Sequence, residues 1–195
     1  MRLEYLRPEE LSEDQRALWD DLAGGKRAAG RGSSFLTNEE GGLVGPFNAW
    51  LYSPTVGQRV QRLGEALRFG SSLPDVLLEV AILVTAQHWR AHFEWWAHAR
   101  LARRAGVAPA VIAAIHKGLE PEFDDADQRL VYDFCRGLLA NKRVGDETYA
   151  QIRELLGEQG LVDLISLLGY YGLVSMTLNV FEVPLPEGVE APFDD

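Results

Sequence analysis

The stretch 79–98 is unusually rich in side chains that can move protons. Three of the four histidines, His88, His92 and His98, lie within eleven residues, and Glu79 and Glu94 flank or separate them. Proton transfer needs titratable groups in a water-poor pocket, because burial and neighbouring charges tune their pKa values. The same stretch supplies apolar walls for such a pocket: Trp89, Phe93, Trp95 and Trp96. Its composition therefore indicates acid–base chemistry.

Helix geometry decides which of these groups can meet. A helix turns by about 100° per residue, so Glu94 and His98 share a face, and His92 lies roughly opposite Glu94. Glu79 lies in an apolar run, where a buried carboxylate must be paired or protonated. His98 can pair with it if the two helices form a hairpin. We predict His98 as a general acid or base, oriented by Glu79, with Glu94 as a second acid or base or as a pKa tuner.

Metal binding is the other chemistry that these residue types allow. His88 and His92 have the i, i+4 spacing of metal ligands, and so have Glu94 and His98. A third ligand at a defined spacing is lacking, and a join between two helices near residues 89–90 would separate the first pair. We therefore expect no metal site in this stretch.

The single cysteine, Cys135, limits redox chemistry. One cysteine excludes an internal disulfide and a CxxC redox pair. Its apolar neighbours predict a buried small hydrophobe. A peroxidase that works through Cys135 alone is a weaker interpretation, because it needs an exposed thiol beside His98 and an external resolving partner.

Charge narrows the range of partners. The formal net charge is −10 and the chain has no basic run, which disfavours nucleic acid and anionic membrane surfaces. The charged N-terminus lacks the apolar core of a signal peptide. The longest apolar stretch, 161–181, is interrupted by glycines and polar residues, so we predict a buried helix and no membrane span. These features predict a cytoplasmic protein whose partners include neither nucleic acid nor a membrane.

Caps, breakers and apolar periodicity predict a single all-α domain over 1–195, a bundle of about eight helices. One helix begins after the cap Ser12, and an aromatic turn follows at 45–51. Six glycines in 24–42 predict a flexible loop. Stretches 71–98 and 146–181 share a similar pattern, which suggests a duplicated helical unit. The other helices are predicted over 54–69, 74–88, 91–105, 108–117, 124–139, 147–156 and 161–181.

The stretch 79–98 and its surroundings resemble the superfamily of carboxymuconolactone decarboxylase and alkylhydroperoxidase D. The peroxidase branch has a glutamate, eleven residues, Cys-x-x-Cys, three residues and a histidine. Here Glu79 and His98 match the glutamate and the histidine, but Ala91 and Glu94 stand at the two cysteine positions. The resemblance extends over about residues 45–186. Over this range the chain looks like a longer, cysteine-free subgroup of the superfamily. Alanine and glutamate cannot attack or resolve a peroxide, so a dithiol peroxidase is disfavoured.

The resemblance implies an AhpD-like helical fold assembled into trimers or hexamers, with a site near a subunit interface. It also implies a cofactor-independent lyase or isomerase, such as a decarboxylase, that acts on a small carboxylate or lactone. The alternative is a non-catalytic ligand-binding or scaffold protein with a degenerate redox site, and the sequence does not decide between them. Arginines in the chain could attract an anionic substrate: Arg68, Arg90, Arg100, Arg103 and Arg104. The candidate substrate-binding residues are Trp95, Trp96, Trp50, Asn48 and Tyr171, with core packing or capping as their alternative role.

Overall fold

The computed structural model describes residues 1–26, 28 and 36–194. Across these residues it has eight α-helices and no strand beyond an isolated bridge between Thr37 and Leu43. This confirms the predicted all-α class. A 3-10 turn at Pro8–Glu10 precedes the helices, which are α1 (Glu13–Ala23), α2 (Phe47–Leu51), α3 (Pro54–Phe69), α4 (Asp75–His88), α5 (His92–Ala105), α6 (Pro109–His116), α7 (Ala126–Asn141) and α8 (Asp146–Val180).

The chain forms two compact units. One comprises Met1–Gly70 and Thr177–Pro184, and the other comprises Ser71–Met176 and the residues from Leu185 onward. The part of the predicted flexible loop at 27 and 29–35 lies outside the described residues. The described ends of that loop, at 24–26, 28 and 36–42, contain turns and no helix.

In the first unit, α1, α2 and α3 pack on one another. The predicted capping box is present at the start of α1, where the Ser12 side chain accepts from the Gln15 backbone N–H and the Gln15 side chain accepts from the Ser12 N–H. The predicted aromatic turn is a short helix, α2. A close approach of α2 and α3 requires Gly57, because a Cβ there would lie 2.6 Å from the Trp50 carbonyl oxygen.

The second unit is organised around α4, which packs against α5, α6 and α7. Every residue of α4 from Leu77 to Ala86 is buried, as expected for a central helix. The turn before α4 is tied to α8, because the Asp163 carboxylate accepts hydrogen bonds from the backbone N–H and the hydroxyl of Ser72, both at 2.9 Å.

A tight reversal joins α4 to α5. Arg90 adopts a left-handed φ of 49°, which ends α4, and the Ala91 N–H donates to the Ala86 carbonyl at 2.9 Å. The predicted join at residues 89–90 is therefore correct. The two helices form the hairpin on which the pairing of Glu79 with His98 depends.

The last two predicted helices form one element, α8, with a break at Gly157 (φ 67°, ψ 178°). The break was predicted at Gly157 and Gly160, but Gly160 is helical. An 18-residue window of α8 has a mean hydropathy of 1.6, so α8 is long and apolar enough to cross a membrane. Because 56% of that window is buried inside the protein, the pattern is typical of a core helix.

Candidate functional site

His98 lies between two buried carboxylates. Its Nδ1 is 2.8 Å from Glu79 Oε2, across the α4–α5 hairpin, and its Nε2 is 3.0 Å from Glu94 Oε1, one turn earlier on α5. The exposed fractions are 3% for Glu79, 4% for Glu94 and 7% for His98. The three residues that the sequence singles out for acid–base chemistry thus form one buried cluster, which we call the Glu–His–Glu triad.

The protonation state of the triad follows from its geometry. An ionised carboxylate only accepts hydrogen bonds, so His98 can satisfy both carboxylates only by carrying a proton on each ring nitrogen. Burial by itself would lower the pKa of His98, but the charges of Glu79 and Glu94 and their hydrogen bonds outweigh it and raise the pKa above its ordinary value. The imidazolium is therefore the favoured form of His98.

The triad is buried and gives a small molecule no direct access to His98. Two carboxylates share one imidazole in a buried setting, where charged groups need partners. Both ring nitrogens of His98 are already engaged by protein groups. A small molecule can therefore reach a ring nitrogen only after a neighbouring side chain moves.

Aromatic side chains complete the surroundings of α5. Tyr171 of α8 meets the His98 ring edge-on, with 5.1 Å between the ring centroids. Trp95 is buried and stacks on His116 of α6 at 4.9 Å, whereas Trp96 packs against Phe93 at 5.3 Å and lies under the Arg100 guanidinium. The structure thus brings Tyr171 to the triad and places the two tryptophans in other aromatic contacts.

Asn48 and Trp50 belong to the other compact unit. The Asn48 side chain is fully buried, donates to the Glu4 carbonyl at 2.9 Å and accepts from the Leu6 N–H at 3.0 Å. Trp50 packs edge-on against Phe47 at 5.3 Å. These contacts tie the N-terminal segment to α2, and the predicted role of the two residues in substrate binding stays a prediction.

Cys135 does not meet the requirement of a single-cysteine peroxidase. It is fully buried in α7, and burial raises the pKa of its thiol far above the ordinary value. The predicted small hydrophobe is what the structure shows, and the exposed thiol that peroxide chemistry needs is missing.

The described part of the chain contains no group of three or more His, Cys, Asp or Glu side chains arranged to hold a metal ion. The triad does not have such an arrangement. Its two carboxylates contact different nitrogens of the His98 ring, so the three groups do not converge on one point. Either carboxylate is better described as a hydrogen-bond acceptor for His98.

Sequence reasoning overlooked an aromatic cluster at the C-terminus. Phe193 is 6% exposed and packs among His92, Trp95 and His116, with centroid distances of 5.8, 5.5 and 5.1 Å. The Arg90 guanidinium lies 5.3 Å from the centre of the Phe193 ring. The one hint in the sequence is that Phe193 is the only aromatic residue after Phe181.

Comparison with known proteins agrees with this architecture. Residues 54–126 match the Carboxymuconolactone decarboxylase family, and this match includes the whole triad. The matched segment runs from the start of α3 to the start of α7, so the chain is similar to this family over that part of its length. A comparison with curated protein sequences finds no match.

Two crystal structures share the fold of this chain over nearly its whole length. One is an uncharacterized peroxidase-related protein from Ralstonia eutropha with an alkylhydroperoxidase AhpD core, at 16% identity and a TM-score of 0.71, covering 95% of this chain and 92% of its own. The other is an uncharacterized peroxidase-related protein from a Silicibacter species, at 13% identity and a TM-score of 0.68, covering 94% and 90%. At these identities the likeness shows the AhpD-like fold and not the chemistry.

Proposed function

We propose that this protein is a carboxymuconolactone decarboxylase-like, cofactor-independent lyase or isomerase that acts on a small carboxylate or lactone. His98 in its imidazolium form is the general acid, and after giving up its proton it is the general base; Glu79 orients the imidazole, and Glu94 is a second base or tunes the pKa of His98. The observation that carries the proposal is the imidazole held between two buried carboxylates. That arrangement serves proton transfer and offers no group for peroxide reduction.

Residues around the triad support the choice of reaction class. The positions of the two thiols in the peroxidase branch hold Ala91 and Glu94, and Cys135 is fully buried. The chain therefore keeps acid–base groups and lacks the thiol pair of the peroxidase branch. Arg90 and Arg100 lie just before and within α5 and supply positive charge for an anionic substrate.

A second candidate is a non-catalytic ligand-binding or scaffold protein in which the triad bridges α4 and α5. The observation in its favour is burial, because all three side chains are less than 10% exposed and both nitrogens of His98 are engaged. A closed ion cluster of this kind can define how two helices pair without any chemistry.

A ligand screen followed by turnover in D₂O separates the two candidates. Small carboxylic acids, lactones and muconate-like compounds are tested first by thermal melting, since a ligand at about 100 times its Kd stabilises the folded state by about 2.7 kcal/mol. Compounds that stabilise the wild type are then followed by NMR for conversion and for deuterium incorporation. For an enzyme we expect His98→Gln to lower kcat by roughly 10²–10⁴-fold, the usual contribution of a general acid or base.

The matched control is Glu154→Gln, which neutralises an exposed carboxylate on α8 and should leave turnover unchanged. Glu94→Gln keeps a hydrogen-bonding side chain next to His98 and tests the second acid–base role. If no compound stabilises the wild type, or if a bound compound turns over equally in His98→Gln, the lyase or isomerase proposal fails. The scaffold candidate predicts a loss of stability in His98→Gln without any turnover to lose.

Assembly and location complete the proposal. We expect a homo-oligomer, a trimer or hexamer, in the cytoplasm. Support for the assembly comes from apolar side chains exposed on one face of α8, namely Val162 (63%), Ile165 (48%) and Met176 (44%). Light scattering of the wild type and of Ile165→Glu checks it, because a buried glutamate in the contact should dissociate the assembly.

A further inference from the structure

The C-terminal tail occupies a socket formed by Arg90, His92, Trp95 and His116. Arg90 lies in the α4–α5 turn, His92 and Trp95 lie in the first turn of α5, and His116 ends α6. The tail socket surrounds a single buried side chain, Phe193. It lies in the same compact unit as the triad but shares no residue with it.

The socket combines aromatic walls with hydrogen-bond donors. Trp95 and His116 are stacked and form one wall against the Phe193 ring. The Nε2–H of His116 donates to the Pro192 carbonyl oxygen at 2.5 Å, and the Arg90 guanidinium donates to the backbone oxygen of Asp194. The residues around the Phe193 ring thus include two hydrogen-bond donors, and each donates to a backbone oxygen of a residue next to Phe193.

The second histidine adds a further polar contact. The Phe193 N–H donates to His92 Nδ1 at 3.5 Å, which requires an unprotonated nitrogen there. A purely structural anchor for a phenyl ring needs only apolar neighbours. The Arg90 guanidinium and the His116 imidazole instead donate to oxygens, and such donors match an aromatic group that carries carbonyl or carboxylate oxygens.

The tail is attached locally. From 184 to 192 every residue is exposed or half-exposed, so Phe193 is the one buried residue in the described tail after Val183. Segments held by few buried contacts open at a small cost while the rest of the fold stays intact. The socket can therefore be vacated without disrupting the helices that form it.

We propose that the tail socket is a binding site for a small aromatic carboxylate and that Phe193 fills it as a competing internal ligand. The aromatic ring of the ligand packs on Trp95 and His116, and its carboxylate accepts hydrogen bonds from Arg90. This site does not depend on the proposed lyase or isomerase activity, because its occupancy is read out by binding.

The test uses full-length protein and two probes of matched shape, 3-phenylpropanoate and the neutral 3-phenylpropanol. Phe193→Ala frees the slot for the ring while the remainder of the chain is kept. If the tail fills the socket about nine-tenths of the time, removing its ring tightens 3-phenylpropanoate binding about tenfold relative to wild type. NMR titration should shift the imidazole signals of His92 and His116 and leave that of the exposed His88 unchanged.

Two further variants distinguish a specific carboxylate-binding site from an apolar cavity. Adding Arg90→Gln to Phe193→Ala should reduce the affinity for 3-phenylpropanoate to that for 3-phenylpropanol, because the carboxylate then lacks its cation. The matched control, Phe123→Ala, removes a half-buried ring that packs on Tyr132 at 5.4 Å and should bind both probes no more tightly than wild type.

Three results would overturn the proposal. The first is equal affinity of wild type and Phe193→Ala for 3-phenylpropanoate. The second is equal affinity of Phe193→Ala for the charged and neutral probes, which is the behaviour of an apolar cavity. The third is that Phe123→Ala binds 3-phenylpropanoate as tightly as Phe193→Ala does. Should Phe193→Ala fold poorly, Phe193→Leu provides the same comparison with an apolar side chain retained, and an unchanged affinity in that variant counts against the proposal.

Discussion

Replacing His98 with alanine tests whether this residue holds two buried carboxylates together. In the native protein the imidazole bridges Glu79 at 2.8 Å and Glu94 at 3.0 Å. In His98→Ala both carboxylates remain in a buried setting and neither has its cation. The substitution therefore does more than create a cavity, because it takes from both carboxylates the hydrogen bond and the positive charge that His98 supplies.

The magnitude follows from the burial of all three groups. Removing one partner of a buried ion pair costs about 3–5 kcal/mol. For a chain of this size each kcal/mol lowers Tm by about 2–4 °C, so His98→Ala should melt about 6–20 °C below wild type. Calorimetry or circular dichroism at a fixed protein concentration measures the shift at pH 7.

A second substitution separates charge from packing. Adding Glu79→Gln to His98→Ala neutralises one of the two carboxylates that lost the imidazolium and should restore about 0.5–3 kcal/mol, the usual coupling between residues in contact. His88→Ala is the histidine control, since His88 is exposed at the end of α4, and it should change stability by less than about 0.5 kcal/mol. A loss below about 1 kcal/mol in His98→Ala, or no recovery in the double variant, would refute the charge-bridge argument.

Three further predictions follow from the structure. The pKa of His98 is raised above 6.5 in the folded state, so the stabilisation that protonated His98 provides is complete below about pH 6.5 and is lost as the pH rises through the folded pKa. We therefore expect the Tm to fall with rising pH in wild type but not in His98→Gln. Gly57→Ala would place a Cβ 2.6 Å from the Trp50 carbonyl oxygen and should lower the free energy of unfolding in urea by about 1–3 kcal/mol. The control is Gly137→Ala, whose Cβ meets nothing within 4 Å and which should leave that free energy unchanged or raise it. Cys135 should react with a thiol reagent only after unfolding, since burial raises its pKa, and rapid labelling of the native protein would contradict its packing.

The candidate triad was predictable because its members follow local rules. Glu94 and His98 are one helical turn apart, which the sequence fixes as soon as α5 is a helix. Glu79 stood out as a carboxylate in an apolar run. The pairing of Glu79 with His98 depended on a hairpin, and the turn at residues 89–90 was the reason to expect one.

Other features could not be predicted, because they depend on contacts between distant parts of the chain. Asn48 resembles a polar group beside a pocket, but its amide bonds to the backbone of residues 4 and 6. The buried face of α3 is another example. Periodicity favours Val56 and Leu63, yet both are exposed, and the helix buries Gly57 and Gln61 instead.

By itself the sequence determined the helical class, most helix bounds and the residue types of the triad, because propensity, capping and periodicity act over a few residues. Tertiary structure decided that the triad is closed, that Trp95 stacks on His116, and that Phe193 completes the socket from the end of the chain. The physical reason is that burial and ring packing depend on which distant segments meet. No local pattern in the chain encodes the meeting of residues 92 and 193.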